Sequence, residues 1–462
     1  MRSKHEISEA ILKSWETRDS SVNELSLIID WINKLNENTK VNLEKISISE
    51  CADWFYDNEK GVIRNTKNTF FQIAGLVNTV DGEVISEQPI ILQDEIGFLG
   101  IICTMKNGVL HFLMQAKIEP GNINKIQLSP TLQATKSNFT QQHGGRKPNY
   151  LDYFSNAKNY TILYDQIQSE QSSRFLGKRN RNIVIFIEDE IEETKNFKWM
   201  TLGQIKELMK YDNLINMDTR TVLSGLPIFH ITPKAENQWN NQLSLSINGN
   251  CESQLPKIMN YMNDYKMFDT TERKIVSLGK LKNWQWIDND YKNLVDYHFK
   301  VIFANIEIED REVKRWGQPL FEAEGKALFL LVCKYSEHGI RFLVHAIPEV
   351  GTFDKIEVGP TLQLECGNER KMNDIDKYIY EKYSNGDGVR SNVILSEEGG
   401  RFYHEENNNV ILLVDDFKFD ESELNKNGYF WCDYYTLIRL MQINNVLNIQ
   451  LRNLMSIIDW EK

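Results

Sequence analysis

A duplicated segment is the feature that most constrains the fold of this 462-residue chain. The sequence Pro-Thr-Leu-Gln at residues 130–133 returns at residues 360–363, a shift of 230 positions. The same shift relates further pairs of residues: Phe112 and Phe342, Glu119 and Glu349, and Gly121 and Gly351. A repeat of this length predicts one domain present twice in tandem, with the first copy at residues 1–231 and the second at residues 240–462.

The pattern of apolar residues in each copy predicts an α+β domain. Helical spacing marks residues 23–35, and strand-like runs occupy residues 70–80, 96–105 and 109–115. Turn dipeptides follow two of these runs: Asp81-Gly82 and Asn107-Gly108. Because strands and helices come in separate groups, we expect mostly antiparallel strands layered against helices.

Composition limits the class of protein. A hydrophobic content of 41% supports two globular cores, and a formal charge of −12 argues against a nucleic-acid partner. No apolar run approaches the roughly 18 residues that cross a bilayer, and the start lacks the apolar region of a signal peptide. The six cysteines form no C-x-x-C pair. We therefore expect a cytoplasmic enzyme or binding protein that contacts neither membrane nor nucleic acid.

Common catalytic motifs are missing from the sequence. It contains no H-E-x-x-H zinc motif, no phosphate-binding P-loop, no G-x-G-x-x-G after a strand and no G-x-S-x-G elbow. Dinucleotide, ATP and zinc chemistry are therefore unsupported.

A basic run follows the block SEQSSRF at residues 169–175. It contains four cations, Arg174, Lys178, Arg179 and Arg181. Guanidinium groups pair with phosphate oxygens, so the run suits a diphosphate, although a solvated turn has the same composition. The block returns as SEEGGRF at residues 396–402, where Arg401 matches Arg174 and His404 follows. We expect Arg174, helped by Arg179 or Arg181, to be a partly exposed diphosphate ligand.

Polar side chains are dense between residues 115 and 154. They include candidate ligands and proton carriers: Gln115, Lys117, Glu119, Gln133, Thr135, Asn138, His143 and Tyr153. Amide and hydroxyl groups suit sugar hydroxyls. His143 precedes two glycines on an expected loop, where it either faces solvent or transfers protons near neutral pH. Glu119 either caps the turn Glu-Pro-Gly-Asn or acts in catalysis.

These blocks together resemble the NDP-hexose 2,3-dehydratases of deoxysugar biosynthesis. The similarity is carried by QAKIEPGNINKIQLSPTLQATKSNF at residues 115–139, HGG, YLDYF, SEQSSRF and SEEGGRFYHEEN. It implies two tandem Nudix-like mixed-sheet domains, a homodimer and a dTDP-linked 4-keto-6-deoxyhexose substrate. It also implies one catalytic and one remnant pocket per chain. Nudix pyrophosphate hydrolysis is disfavoured, because the acidic metal-binding signature is absent and residues 311–315 read REVKR.

The reaction that this resemblance implies needs no metal or redox cofactor. The C4 ketone acidifies the C3 proton, a base removes it, and the enolate expels the C2 hydroxyl. The resulting enol rearranges to a 3,4-diketo-2,6-dideoxy sugar, which a separate NADPH-dependent 3-ketoreductase would consume. We expect Glu119, His143 and Tyr153 to carry protons and Lys117 to stabilise the enolate or a phosphate. The sequence leaves open which residue is the base.

Differences between the copies predict that the first copy holds the active pocket. Lys117 corresponds to Ile347, and Thr135 corresponds to Glu365, which places a negative charge where an anionic ligand would lie. The sequence HGG has no counterpart in the second copy. The alternative is that the pocket of the second copy is retuned and still binds substrate, with Arg401 and His404 as its ligands. A non-catalytic sugar-nucleotide-binding protein of the same fold is the alternative function.

Overall fold

The computed structural model describes residues 3–68, 70–136, 147–232, 234, 236–250, 252, 254–295, 297–309, 313–368 and 372–461. Two predicted site residues, Asn138 and His143, lie outside the described residues.

The first copy begins with two helices, continues with strands and closes with helices. Its described helices are α1 Lys4–Glu16, α2 Leu25–Asn38, α3 Leu151–Ser155, α4 Leu202–Leu208 and α5 Met217–Ser224. Its described strands are β1 Val41–Ile46, β2 Trp54–Asp57, β3 Val62–Asn65, β4 Gln72–Val80, β5 Glu83–Leu92, β6 Gly97–Lys106, β7 Val109–Ile118, β8 Ile126–Ser129, β9 Leu132–Ala134, β10 Thr161–Ser169, β11 Arg179–Phe186 and β12 Phe197–Met200.

The second copy repeats this order. Its described helices are α6 Gln238–Ile247, α7 Gln254–Phe268, α8 Asp374–Ser384, α9 Glu421–Lys426, α10 Tyr434–Met441 and α11 Ile449–Ile457. Its described strands are β13 Glu272–Val276, β14 Trp284–Ile287, β15 Asp290–Asn293, β16 Phe299–Ile308, β17 Arg315–Ala323, β18 Leu328–Lys334, β19 Arg341–Ile347, β20 Glu357–Gly359, β21 Leu362–Leu364, β22 Val389–Ser396, β23 Phe402–Tyr403, β24 Glu406–Leu413 and β25 Tyr429–Cys432. The predicted α+β class is confirmed.

Each copy contributes one large mixed sheet of seven strands. The first runs β10-β11-β6-β7-β12, with β8 on β7 and β9 on β6, and the second repeats it as β22-β24-β18-β19-β20, with β21 on β18 and β25 on β19. Most neighbours are antiparallel, as expected, but β11 pairs with β6 and β24 with β18 in parallel. At the predicted hairpin between β6 and β7, Asn107 and Gly108 have φ angles of 50° and 73°, the left-handed conformation that an Asn-Gly turn favours.

Each of the two smaller sheets consists of strands from one copy and a single strand from the other copy. Strand β1 pairs antiparallel with β16 of the second copy, and β13 of the second copy pairs antiparallel with β4. The register runs from Val41 opposite Ile308 to Ile46 opposite Phe303. The copies are therefore joined by reciprocal strand exchange.

The largest apolar core is also shared between the copies. It collects buried residues of α1 and α2, of both large sheets and of the closing helices, such as Trp15, Phe112, Phe342 and Leu454. Separate cores on the outer faces of the large sheets belong to one copy each. Cys103 and Cys333 are buried strand residues, and all five cysteines that the structure describes are unpaired. Among the described helices, none is long and apolar enough to span a membrane.

Candidate active site

The turn at residues 119–122, which follows β7, lies against a loop of the second copy. The Gly121 N–H donates to the Gly399 carbonyl at 2.7 Å, and the His404 N–H donates to the Gly121 carbonyl at 2.9 Å. A Cβ on Gly121 would lie 1.7 Å from the Phe402 carbonyl oxygen, so only glycine permits this approach. Residues 398–404 therefore form one wall of the pocket around Glu119, which we call the first pocket.

The second copy builds an equivalent pocket around Glu349. The Gly351 N–H donates to the Ser172 carbonyl at 2.8 Å, and the Gly177 N–H donates to the Gly351 carbonyl at 2.7 Å. A Cβ on Gly351 would lie 2.1 Å from the Phe175 carbonyl oxygen. We call this site the second pocket. Each pocket is thus completed by the SEQSSRF or SEEGGRF loop of the opposite copy.

Three predicted residues meet in the first pocket. Glu119 is only 5% exposed. Its Oε1 accepts hydrogen bonds from Lys117 Nζ at 3.0 Å and from Gln133 Nε2 at 2.9 Å. Asn216, the N-cap of α5, donates to Gln133 Oε1 at 3.2 Å and fixes that amide. The arrangement holds a charged carboxylate beside a cation, where it can accept a proton from a bound ligand.

The second pocket keeps the amides but has no equivalent of Lys117. Gln363 Nε2 donates to Glu349 Oε1 at 2.8 Å, and Asn448 donates to Gln363 Oε1 at 3.0 Å. Ile347 occupies the position of the lysine. Burial raises the pKa of Glu349 to about 7.

Arg174 belongs to the second pocket rather than the first. Its Nη2 lies 3.4 Å from Glu365 and 3.5 Å from Glu405, both in the second copy. Its guanidinium also lies 4.4 Å from the centroid of the Phe299 ring. The expectation that Arg174 is partly exposed is wrong, because it is 1% exposed. Carboxylates from the second copy neutralise it.

Arg401 takes the equivalent place in the first pocket, where Glu398, Glu119 and Glu95 act on it through their charges and not by direct pairing. It donates to the Gly400 carbonyl at 2.9 Å and to Gln93 Oε1 at 3.4 Å, and its guanidinium lies 4.2 Å from the centroid of the Phe71 ring. Its Nε is buried without a hydrogen-bond partner. Among the described residues no carboxylate lies within 4 Å of this guanidinium. The positions of Glu365 and Glu405 are taken here by Thr135 and Lys178.

The other three cations of the basic run have separate surroundings. Lys178, 6% exposed, donates to the Glu95 carbonyl. The Arg179 guanidinium lies 3.6 Å from the centroid of the Phe353 ring. Arg181 pairs with Asp165 at 2.6 Å. The four cations therefore do not converge on one point, because Arg179 and Arg181 lie in β11 rather than in the expected turn.

The remaining predicted residues are scattered. Gln115 lies two residues before Lys117 in β7 and accepts from Ser129 at 3.4 Å, and Thr135 directly follows β9. Tyr153 packs in an aromatic group with Tyr160, at 5.4 Å between ring centroids. His404 is exposed and stacks on Tyr403, and its backbone bonds to the first pocket instead of the second.

Two carboxyl groups that the sequence reasoning missed also lie at the first pocket. Burial and then the charge of Glu119 raise the pKa of Glu398 to about 7. Burial and the charges of Glu170, Glu398 and Glu119 raise the pKa of Asp218 well above its usual value. A position-by-position comparison of the copies could have found both. Glu398 corresponds to Gln171 by the shift of 227, and Asp218 corresponds to Gln450 by the shift of 232 that relates the closing helices.

A cavity of about 220 Å³ lies elsewhere, between α8 and the strands β18 and β21 of the second copy. Its lining includes Lys326, Glu365, Cys366, Tyr380 and Tyr383. Glu365 connects this cavity to Arg174 and hence to the second pocket.

The sequence also matches known proteins. A family model described as NDP-hexose 2,3-dehydratase matches residues 25–226 and again residues 255–458. Three relatives carry the name dTDP-4-dehydro-6-deoxy-alpha-D-glucopyranose 2,3-dehydratase. The relative from Saccharopolyspora spinosa is 35% identical over 92% of this chain and 89% of its own length. Those from Streptomyces violaceoruber and Amycolatopsis orientalis are 34% and 31% identical, covering 92% and 99% of this chain and 95% of their own lengths.

Proposed function

This chain belongs to the NDP-hexose 2,3-dehydratase family, and we propose from that membership that it dehydrates a dTDP-linked 4-keto-6-deoxyhexose in the first pocket. The enzyme removes the C2 hydroxyl and gives a 3,4-diketo-2,6-dideoxy sugar. The observation that carries the assignment to this pocket is the joint presence of Glu119, paired with Lys117, and of Arg401 without a carboxylate partner in the described residues.

Arg401 and the Glu119–Lys117 pair have different roles, which follow from their charges. Arg401 offers donors to the diphosphate, because a guanidinium binds phosphate oxygens strongly once no carboxylate competes for it. Glu119 removes the C3 proton of the sugar. Lys117 then stabilises the negative oxygen that develops at C4. Gln115 in β7, Gln133 in β9 and Thr135 directly after β9 bind sugar hydroxyls.

The second pocket is poorly suited to bind the sugar nucleotide and even less suited to catalyse its dehydration. Its arginine is already paired with Glu365 and Glu405, and it has no equivalent of Lys117. An incoming diphosphate would have to displace Glu365 and Glu405 and would meet the negative charge of Glu365, whose pKa Arg174 lowers. We assign turnover to the first pocket for this reason.

The family and its chemistry support further parts of the proposal. The enzyme is a lyase, because water leaves by elimination. The two copies, at residues 1–231 and 240–462, are Nudix-like domains, and two chains form a homodimer. A separate NADPH-dependent 3-ketoreductase consumes the reactive diketone. The five cysteines in the described part of the chain are unpaired, which fits a reducing compartment and hence the cytoplasm.

Incubation with dTDP-4-keto-6-deoxyglucose, followed by mass spectrometry, tests the function. We expect loss of one water molecule from the sugar, with trapping of the diketone by reduction. Glu119→Gln is the control and should lose this activity by about 10²–10⁴-fold while still binding dTDP. Binding of the sugar nucleotide by the wild-type chain without any loss of water would favour the alternative, a non-catalytic binding protein.

A further inference from the structure

The first pocket contains carboxyl groups that the second pocket replaces with amides. Glu398 and Asp218 correspond to Gln171 and Gln450. The loops and closing helices that carry these positions align in sequence between the two copies. At these two positions the first pocket has a group that can hold and release a proton, where the second pocket has an amide that cannot.

The loop around Glu398 is built to hold this carboxyl group. A Cβ on Gly400 would lie 2.2 Å from Glu398 Oε1, and a Cβ on Gly399 would lie 2.2 Å from Asn122 Oδ1. In the second pocket the two glycines are replaced by Ser172 and Ser173. Glycine at position 400 thus leaves room for Glu398 to fold back against its own loop, and glycine at position 399 lets the loop approach Asn122 in the turn at residues 119–122.

The equivalent side chain in the opposite loop is used differently. Gln171 Nε2 donates a hydrogen bond to Glu397 Oε2. The corresponding pair at the first pocket is Glu398 with Glu170, two carboxyl groups whose charges oppose each other. An amide keeps its protons when it donates, whereas the charge of Glu170 adds to the groups that favour the protonated form of Glu398.

Charged groups face Glu398 from every side of the pocket. They are Glu119 and Lys117 on β7 and its turn, Asp218 on α5, Glu170 after β10, and Arg401 on the same loop. Glu398 is half-buried, and within the described part of the chain its carboxyl oxygens make no hydrogen bond. A carboxyl group that is crowded by negative charge and still open to a ligand is suited to donate a proton.

The geometry points to Glu398, contributed by the second copy, as the general acid that protonates the departing C2 hydroxyl in the first pocket. This assignment rests on the proposed dehydratase function. Asp218, which is 3% exposed, is part of the wall beside Glu398 and is not assigned a proton transfer.

The proton transfers of the reaction balance without any further reactant. Glu119 carboxylate takes the C3 proton and the C3–H electrons form the enolate. The enolate then forms the C2–C3 double bond, the C2–O bond breaks, and Glu398 gives its proton to the leaving hydroxyl, which departs as water. In the following ketonisation C2 takes the proton from Glu119, and the enol oxygen at C3 loses its proton to Glu398. Both residues return to their starting states.

Separate measurement of the two proton transfers tests this assignment. In D₂O, Glu398→Gln should still exchange the C3 hydrogen of the recovered substrate, because Glu119 is intact. Its loss of water should fall by about 10²–10⁴-fold. Glu119→Gln should lose both exchange and dehydration. Glu398→Asp keeps an acid and should recover part of the dehydration that Glu398→Gln loses.

Glu405→Gln is the matched control. Glu405 is a buried carboxyl in the same loop, its pKa is raised by burial to about 8, and it faces the second pocket. This variant should dehydrate at the wild-type rate. Wild-type turnover by Glu398→Gln would overturn the assignment, and so would loss of C3 exchange by a variant that still binds dTDP. A wild-type chain that neither exchanges nor dehydrates would overturn the proposed function itself.

Discussion

Glu357 and Gln127 occupy equivalent positions in the two copies, and each meets a serine of the opposite copy. Ser169 Oγ donates to Glu357 Oε2 at 3.0 Å, and Gln127 Nε2 donates to Ser396 Oγ at 2.9 Å. The surroundings are therefore alike, but only Glu357 can ionise. Burial, followed by the charge of Glu349, raises the pKa of Glu357 to about 8.

This difference predicts a pH-dependent effect of Glu357→Gln on stability. A carboxyl whose pKa is higher in the folded state stabilises the fold fully below pH 4.5 and loses this contribution as the pH rises through about 8. Wild type should thus weaken from pH 5 to pH 8 more than the variant. The gap in unfolding free energy should widen by on the order of 1–3 kcal/mol in favour of the variant at pH 8. Urea unfolding at both pH values measures it, and parallel pH profiles would contradict the raised pKa.

The two equivalent arginines should fail in different ways when they are replaced. Arg401→Ala removes the donor to the diphosphate and should weaken competitive inhibition by dTDP by about 1.5–3 kcal/mol. Arg174→Ala should leave that inhibition nearly unchanged, because Arg174 lies in the second pocket. It should instead lower the free energy of unfolding by about 3 kcal/mol, since Glu365 and Glu405 lose their buried partner. If Arg174→Ala also weakened inhibition by dTDP, Arg174 and not Arg401 would have to be the ligand of the diphosphate.

At the scale of elements, two tight turns position the loops of the opposite copies. Gly121 and Gly351 play the same part, and a Cβ on either would meet a backbone carbonyl at 1.7 Å or 2.1 Å. Backbone cannot move aside as a flexible side chain can. Alanine at either position must therefore push away the loop of the other copy.

Gly121→Ala and Gly351→Ala form a matched pair for this reason. Both should destabilise the chain by a similar amount, about 1–3 kcal/mol. Only Gly121→Ala should reduce dehydration strongly, because it moves the loop that carries Glu398 and Arg401. Thermal unfolding and turnover, measured for both variants at a temperature where both are folded, separate the effects. Equal loss of activity in the pair would contradict a single catalytic pocket.

Elements within one copy could be predicted from the sequence, whereas pairings between copies could not. The apolar runs and the Asn107-Gly108 turn specify their own strands and hairpin, because these signals are local. The position of Arg174 depends on which loop of the other copy packs against it. The basic run contains no local signal that predicts this contact. By contrast, the alignment of the two copies shows directly that Thr135 corresponds to Glu365. It therefore indicates a charge that differs between the pockets.

The exchange of strands also could not be predicted from local sequence patterns. Strand β1 is not among the runs that the sequence analysis predicts as strands, and its partner β16 lies more than 250 residues away along the chain. The duplication suggests two independent domains, and each small sheet would then lack one strand. The structure closes both sheets by exchange and places the largest core between the copies.

At the scale of the whole molecule, the ends of the chain are tied across the copies as well. Trp15 Nε1 in α1 donates to Asp459 Oδ1 at 2.7 Å, and Arg18 pairs with the same carboxylate at 2.6 Å. Arg220 in α5 donates to the Ser396 carbonyl at 2.6 Å, and Arg452 in α11 donates to the Ser169 carbonyl. All of these contacts are lost if either copy unfolds alone.

We therefore predict that the two copies unfold together in one transition, although the sequence divides into two repeats. Unfolding one copy would expose half of the shared core and leave β1 or β13 without its sheet, which costs more than the remaining copy can offset. Calorimetry should give one peak whose van't Hoff and calorimetric enthalpies agree. Residues 1–231 expressed alone should not reach a stable fold, whereas co-expression with residues 240–462 should restore a one-to-one complex that dehydrates the substrate. Two resolved transitions, or a stable and cooperative first copy on its own, would show that the strand exchange and shared core contribute little to the fold.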